Sequence, residues 1–325
     1  QSRSEEPVHT YRKKLWITGS WSRWLRRQMY GFGSEPEFAE GISRRKKLWS
    51  IWRPGSYAGS GAFRDFSKGN RSADCFDAFC GNSNAIGILS DSGTYRSGTG
   101  SRFDLNAACS GFLLAYQSAE AYLESGAYKT ALIIGSERLS NIIDWKDRNS
   151  CILFGDGAGA VVLTCTEKKG YRFISHSDGS MGNALMLEHH YDRNLETEQH
   201  RLSIEQSASS KVSMDGQAVF RFAVRRVPQV IEEVLCINGL SREEIDCYVL
   251  HQANQRIVEA VAKRLKEPLG KFPMNLQNYG NTSSASIPIL LNELDQSKRL
   301  KTGDRIVMAG FGGGLTWGAS IAEWI

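Results

Sequence analysis

From residue 103 to the end of this 325-residue chain, short aliphatic runs alternate with helical stretches, and that alternation confines the fold to the α/β class. Strands are expected at 129–137, around Ala-Leu-Ile-Ile, and at 157–165, 247–250, 305–309 and 316–322. Helices are expected at 110–124, 218–235, 254–265 and 284–294, and Ser241 with Glu244 spells a capping box. Residues 180–212 are polar and irregular. Their His189-His190 pair is read as part of a solvated insertion loop in preference to a metal site.

Residues 1–102 have another character. They hold one Val, five Ile and four Leu, yet five of the eight Trp. Buried strands of an α/β half draw on branched aliphatics, so no strand is expected there and the segment reads as poorly packed. It also carries 17 Lys+Arg against 9 Asp+Glu, or +8, which leaves 23 against 26, or −3, for the remainder. The overall charge of +5 is therefore a property of the first third. Those charges follow no helical face, so a nucleic-acid-binding arm is set aside. No apolar stretch approaches the length of a membrane span. Seven cysteines, at 75, 80, 109, 151, 165, 236 and 247, form no disulfide framework. Cys75 and Cys80 make a lone C-x4-C pair with no second pair, which argues against zinc, and no metal is expected. A reducing cytoplasm is the expected setting.

Three stretches carry chemistry. Residues 104–112, Asp-Leu-Asn-Ala-Ala-Cys-Ser-Gly-Phe, place Cys109 at the start of a helix. The positive end of a helix lowers a thiol's pKa, and backbone N–H groups at such a bend serve as an oxyanion hole. His251 leaves an apolar Tyr-Val-Leu strand at its end, where α/β folds carry their sites. Asn281 lies in a Gly-Asn-Thr-Ser-Ser turn before a helix. Each has a plainer reading as well: a packed cysteine, a satisfied core histidine and an N-cap. The Phe311-Gly-Gly-Gly-Leu315 run lets backbone approach a ligand closely. Gly155-Asp-Gly-Ala-Gly159 lacks G-x-G-x-x-G spacing and a following helix, so it reads as a tight turn into a strand. A thiol, an imidazole and a carboxamide together make a site for carbon–carbon condensation of thioesters.

Taken together, residues 103–325 resemble β-ketoacyl-acyl-carrier-protein synthase III, of the thiolase superfamily, along their whole length. The matching residues are Asn-Ala-Ala-Cys109-Ser-Gly, Asp147-Arg148-Asn149, Leu153 through Ala160, His251-Gln-Ala-Asn254-Gln-Arg256, Tyr279-Gly-Asn281-Thr-Ser and Phe311-Gly-Gly-Gly-Leu-Thr-Trp317-Gly. The resemblance implies an α/β, thiolase-like, layered αβαβα fold of two related halves, homodimeric. The first half is divided between an aberrant segment, 1–102, and a nucleophile-bearing remainder, 103–170. The second half, 171–325, bears the His and Asn.

By the same resemblance, Cys109 takes an acyl group from acyl-CoA. His251 and Asn281 bind the malonyl thioester carbonyl and stabilise the enolate formed as CO2 leaves. The product is a 3-oxoacyl-acyl-carrier protein, the first condensation of fatty acid synthesis. The amides of Cys109 and Gly313 form the oxyanion hole. Gly216 and Asn254 line the pantetheine arm, Arg148 meets the nucleotide end of CoA, and Phe154 gates the acyl channel. Arg221 and Arg256 face the acidic carrier protein. No cofactor is implied beyond the two thioester substrates. An asparagine beside the histidine, rather than a second histidine or cysteine, favours decarboxylative condensation. The rivals are a condensing enzyme or acyltransferase of secondary metabolism and an inactive, frame-disrupted remnant.

The family's amino-terminal signatures (Gly-Thr-Gly-Ser-Tyr-Leu-Pro, Ser-Asp-Glu-Trp-Ile, Arg-Thr-Gly-Ile) are missing from residues 1–102. The segment reads as the family's coding DNA translated out of frame. Taking the last base of each codon with the first two of the next, Ser34 through Phe38 allows only Arg/Gly, Thr/Ala, Arg/Gly and Ile/Val, with a TCN serine codon. The signature Arg-Thr-Gly-Ile is among these. Tyr30-Gly31 allows only Trp or Arg, where the family has Trp. The opposite shift restores family-like text across 61–78 and 84–93, up to where the normal frame resumes near residue 102. By the resemblance, the acyl pocket is finished by a residue from the partner's loop, and that loop falls in this segment, so the acyl primer is left open.

Overall fold

The aliphatic runs after residue 103 become the strands of two sheets, with two helices clamped between them. The computed structural model describes residues 12–17, 75–81, 101–166, 170–187 and 211–325. Strands β1 (Arg12–Ile17), β2 (Cys75–Gly81), β3 (Ser101–Leu105), β4 (Thr130–Glu137) and β5 (Gly157–Thr166) form one sheet in the order β1-β5-β4-β2-β3. In it β2 runs parallel to β3 and β4, while β5 is antiparallel to β4 and β1. The second sheet joins β6 (Ile174–Ser177), β9 (Cys247–Leu250), β10 (Arg305–Gly312) and β11 (Thr316–Glu323) in the order β6-β11-β10-β9. Here β9 is parallel to β10, and β11 is antiparallel to β10 and β6.

Helices α1 (Gly111–Glu124) and α6 (Ser286–Gln296) fill the layer between the sheets. Their Phe112, Tyr116, Leu291 and Leu294 pack on Ile133 and Leu163 from one sheet and on Val249 and Met308 from the other. The second sheet is covered on its far side by α3 (Gly216–Asn238) and α4 (Gln255–Leu265), where Val234, Val258 and Val261 meet Leu250, Val307 and Ile321. The period of two along β10 makes this sandwich possible. Ile306 and Met308 face the central helices, and Val307, Ala309 and Phe311 face the outer ones. Full burial of one such side chain contributes about 1.5–3 kcal/mol, so these double-faced strands anchor everything the site hangs on. Asp215 starts α3 by accepting the N–H groups of Gln217 and Ala218, and Gly239, at φ 64°, ends it in the left-handed conformation. Two short helices complete the described set, α2 (Arg148–Cys151) and α5 (Leu276–Tyr279).

Two expectations need correction. No strand was expected within residues 1–102, yet β1 and β2 lie wholly inside that segment and both are ladder members. A ladder is made by backbone groups, and Cys-Phe-Asp-Ala-Phe-Cys-Gly has none of the Val and Ile sought as the signal. Apart from residues 101 and 102, which open β3, the rest of that segment lies outside the described residues. The stretch 180–212, read as irregular, has regular structure in its described parts, where a 3-10 turn at Gly179–Ala184 leads to β7 (Leu185–Leu187), paired antiparallel with β8 (Val212–Met214). His189 and His190 lie outside the described residues.

Candidate active site

Cys109 sits where the chain turns from β3 into α1. Asn106 Oδ1 accepts the Ala108 N–H at 3.3 Å, and Ala108 takes φ 47°, a left-handed conformation that costs a residue with a Cβ. The 3-10 turn Ala108–Ser110 then carries Cys109 inward until it is 8% exposed. The thiol is not activated as the sequence suggested. Burial pushes its pKa up to about 12, the nearby Glu137 carboxylate acts in the same direction, and a hydrogen bond with Ser283 recovers only part. Desolvation outweighs the helix end here, so the resting sulfur keeps its proton.

His251 follows β9 directly, and its N–H donates to Ala309 O at 2.8 Å, which extends the parallel ladder by one residue. The ring is buried, and burial alone brings its pKa down to about 4, so it is neutral near pH 7. Its Nδ1 lies 2.6 Å from Ser286 Oγ, and Phe311 stands edge-on at 5.7 Å between ring centroids. Asn281 is clamped by backbone on both sides, donating to Leu153 O and accepting from Gly155 N–H at 2.8 and 2.9 Å. Its Oδ1 accepts the Ser283 N–H at 2.8 Å. An amide oxygen facing an N–H donor assigns the NH2 group to the other side. Both Asn281 Nδ2 and His251 Nε2 are left without a protein partner among the described residues.

These three side chains are drawn to one place by β10 and the start of α6. A Cβ added to Gly312 would stand 2.9 Å from Cys109 N and 2.7 Å from Ser110 N, so only glycine lets the end of β10 touch the Cys109 turn. A Cβ on Gly310 would come 3.0 Å from His251 Cβ. Ser283 ties Asn281 to Cys109, since its N–H caps the Asn281 side chain and its own side chain meets the Cys109 thiol. Gly313 is the neighbour of Ala108, and Phe154 bridges to Asn281 in parallel fashion. Arg148 lies exposed on α2 and Gly216 exposed at the start of α3. Asn254 Oδ1 is occupied as the cap of α4, accepting the Arg256 N–H at 2.9 Å. No hydrogen bond links these last three to the trio among the described residues. Arg256 reaches across to α3, its guanidinium 5.3 Å from the Phe220 ring centroid, next to exposed Arg221.

Four residues of the site escaped the sequence reading. Ser283 was read only as part of the turn that holds Asn281, and Ser286 only as part of the helix expected at 284–294. Glu137, 2% exposed, accepts from Ser284 N and Oγ at 3.2 and 2.7 Å. Gln252 is buried beside His251, its side-chain NH2 on Leu250 O and its Oε1 accepting the Asn275 N–H. The triple serine at 283, 284 and 286 was the available signal, because buried hydroxyls need partners.

Known proteins resemble this chain in sequence and in fold. The model of 3-Oxoacyl-[acyl-carrier-protein (ACP)] synthase III matches residues 103–182, and that of its C-terminal part matches 235–324. The chain is 47% identical over 223 residues to a Beta-ketoacyl-[acyl-carrier-protein] synthase III of Clostridium acetobutylicum, covering 68% of this chain and 67% of that protein. It belongs to the 3-oxoacyl-[acyl-carrier-protein] synthase III family. The corresponding protein of Synechococcus elongatus is also 47% identical, with 68% of this chain and 66% of its own length covered, so the similarity spans about two thirds of these relatives. The crystal structure of the Aquifex aeolicus synthase III superimposes with a TM-score of 0.68 at 36% identity, over 78% of each chain. That from Pseudomonas aeruginosa superimposes with a TM-score of 0.71 at 32% identity, over 79% of each. The fold is therefore the thiolase-like α/β architecture of this family. The aligned 223 residues equal in number residues 103–325 (325 − 102 = 223). Among the described residues no helix is long and apolar enough to cross a membrane.

Proposed function

We propose that the chain catalyses decarboxylative Claisen condensation of an acyl-CoA with malonyl-acyl-carrier protein. The observation that carries this is that two neutral polar groups, the His251 imidazole at Nε2 and the Asn281 amide at Nδ2, have no protein partner among the described residues, in the same site as the buried Cys109 thiol. In the first step the Cys109 sulfur attacks the acyl-CoA carbonyl, the acyl–S bond to CoA breaks, and the thiol's proton ends on the CoA sulfur. In this reading the amides of Cys109 and Gly313 hold the oxyanion. In the second, malonyl carboxylate leaves as CO2 and its electron pair becomes an enolate held by the two donors. That carbon attacks the acyl-cysteine, the C–S bond breaks, and Cys109 leaves as a thiolate that takes one proton from solvent. Neutral donors suit this because they stabilise a developing anion without forming an ion pair with the malonyl carboxylate that must depart.

The other roles follow as proposals. Arg148 meets the nucleotide of CoA, Phe154 gates the acyl channel beside Asn281, and Gly216 and Asn254 line the pantetheine arm. Arg221 on α3 and Arg256 on α4, both exposed, steer the acidic carrier protein. The unpaired cysteines Cys109, Cys151, Cys165, Cys236 and Cys247 support a cytoplasmic setting. The position of β3 at the end of its sheet supports a homodimer. The test is CO2 release from malonyl-acyl-carrier protein with and without acyl-CoA. Release coupled one-to-one to 3-oxoacyl product supports the reading, whereas acyl transfer with no CO2 would point to an acyltransferase.

We further propose that residues 1–102 are the family's amino-terminal part translated out of frame, since similarity spans as many residues as follow position 102 and the shifted codons restore family text. Resequencing the first hundred codons tests this. Compensating insertions and deletions are expected, and an unambiguous read matching the chain as it stands would overturn it.

A further inference from the structure

Ser286 is the first residue of α6, 2% exposed and packed against His251. Its Oγ lies 2.6 Å from His251 Nδ1 and accepts the Gln252 backbone N–H at 3.3 Å. These are its hydroxyl's partners among the described residues. A hydroxyl has one proton and two lone pairs, and a neutral imidazole has one N–H and one bare nitrogen. Two arrangements are conceivable. If Nδ1 donated, Oγ would accept two N–H groups and its own proton would be buried with no acceptor. If Oγ donates to Nδ1, every group is matched and the imidazole proton sits on Nε2.

We infer that Ser286 is a positioning residue that holds His251 as its Nε2–H tautomer, so that the ring offers a donor and not a lone pair to the thioester oxygen. The inference deepens the reading of His251 as an enolate-binding donor and rests on it. Without the Ser286 hydroxyl, no hydrogen-bond partner among the described residues selects between tautomers. The Nδ1–H form turns an acceptor toward the enolate and repels it. Attack by Cys109 on acyl-CoA uses no part of this pair, so the two half-reactions separate its effect from general damage.

The experiment is nitrogen NMR of the 15N-histidine-labelled chain, with the His251 signals identified by their loss in His251→Ala, together with rates of both half-reactions. The wild type is expected to show protonated Nε2 and bare Nδ1. Ser286→Ala is expected to populate the other tautomer and to lower the decarboxylation kcat by at least about 10-fold, with KM for malonyl-acyl-carrier protein and Cys109 acylation little changed. Ser286→Thr, which keeps the hydroxyl, restores the Nε2–H signal and part of the rate. A wild type carrying its proton on Nδ1 overturns the inference without need of any variant. So does a Ser286→Ala protein that keeps both the Nε2–H signal and the wild-type decarboxylation rate. If the tautomer is as inferred but His251→Ala decarboxylates normally, Ser286 still sets the tautomer and it is the proposed function that fails.

Discussion

The two halves share one frame and differ in what they hang on it. Four strands of the first sheet, β1-β5-β4-β2, match the second sheet, β6-β11-β10-β9, in direction at each step (antiparallel, antiparallel, then parallel), and β3 adds a fifth strand beyond β2. Each half sends one helix into the central layer through a 3-10 turn that holds a left-handed residue, Ala108 at φ 47° in the first and Ser283 at φ 50° in the second. The backbone strain belongs to the frame. The chemistry lies in the side chains at the turns, a cysteine after Ala108 in one half and an asparagine before Ser283 in the other. Burial then tunes the two halves in opposite senses, keeping Cys109 protonated and His251 unprotonated. Both are neutral at rest, and charge arises only with substrate.

Substitutions can break this comparison. Cys109→Ala should lower condensation by at least about 10³-fold, as removal of a nucleophile does, with the fold retained by circular dichroism. His251→Ala and Asn281→Ala should each slow decarboxylation by about 10²–10³-fold, the usual cost of one oxyanion donor, while leaving acylation near normal. If either abolished acylation too, the halves would not be divided by task.

The frame itself is tested by Leu291→Ala in α6, a fully buried side chain of the layer both sheets share. A loss of about 2–5 kcal/mol in urea titration is expected. A loss under about 1 kcal/mol would mean the central layer does not join the halves. Titration gives a further contrast. His251 has its pKa lowered from 6.5 to about 4 in the fold, so its contribution is complete above pH 6.5 and is lost as pH falls towards 4, roughly 3 kcal/mol in all. Cys109 is the reverse. Its pKa is raised from 9.0 to about 12, so its contribution is complete below pH 9 and is lost as pH rises towards 12. Denaturation midpoints of His251→Ala and Cys109→Ala against pH should flatten one limb each. The smallest effect is expected from Arg256→Ala, a few-fold rise in KM for the carrier protein that salt erases, on the order of 1 kcal/mol.

Much of the second half was legible in the sequence, and the reason is visible in its strands. Period-two aliphatic runs such as Arg305–Gly312 are packed on both faces by elements within residues 103–325, so pattern and environment agree. The short strand before His251 and the capping box, in which Ser241 N–H donates to Glu244 at 2.9 Å, were recovered for the same reason. Less was legible where backbone decides. β2 has no branched aliphatic, and its ladder contacts with β3 and β4 leave no trace in composition. The trio was found by motif. The contacts that hold it, Ser286 on His251 and Gly312 against Cys109, join positions 35 and about 200 residues apart and needed coordinates. The thiol's raised pKa was missed because a helix start is local and visible, whereas desolvation is a property of the packed whole.

The division of labour between the halves is tested most directly by intact-protein mass spectrometry after mixing with acyl-CoA, run on the chain as it stands and on its frame-restored form. One acyl group on Cys109 is expected in the active protein, in His251→Ala and in Asn281→Ala, and none in Cys109→Ala, with CO2 released from malonyl-acyl-carrier protein by the active protein alone. An acyl group retained by Cys109→Ala, or CO2 released at the wild-type rate by His251→Ala or Asn281→Ala, would contradict it.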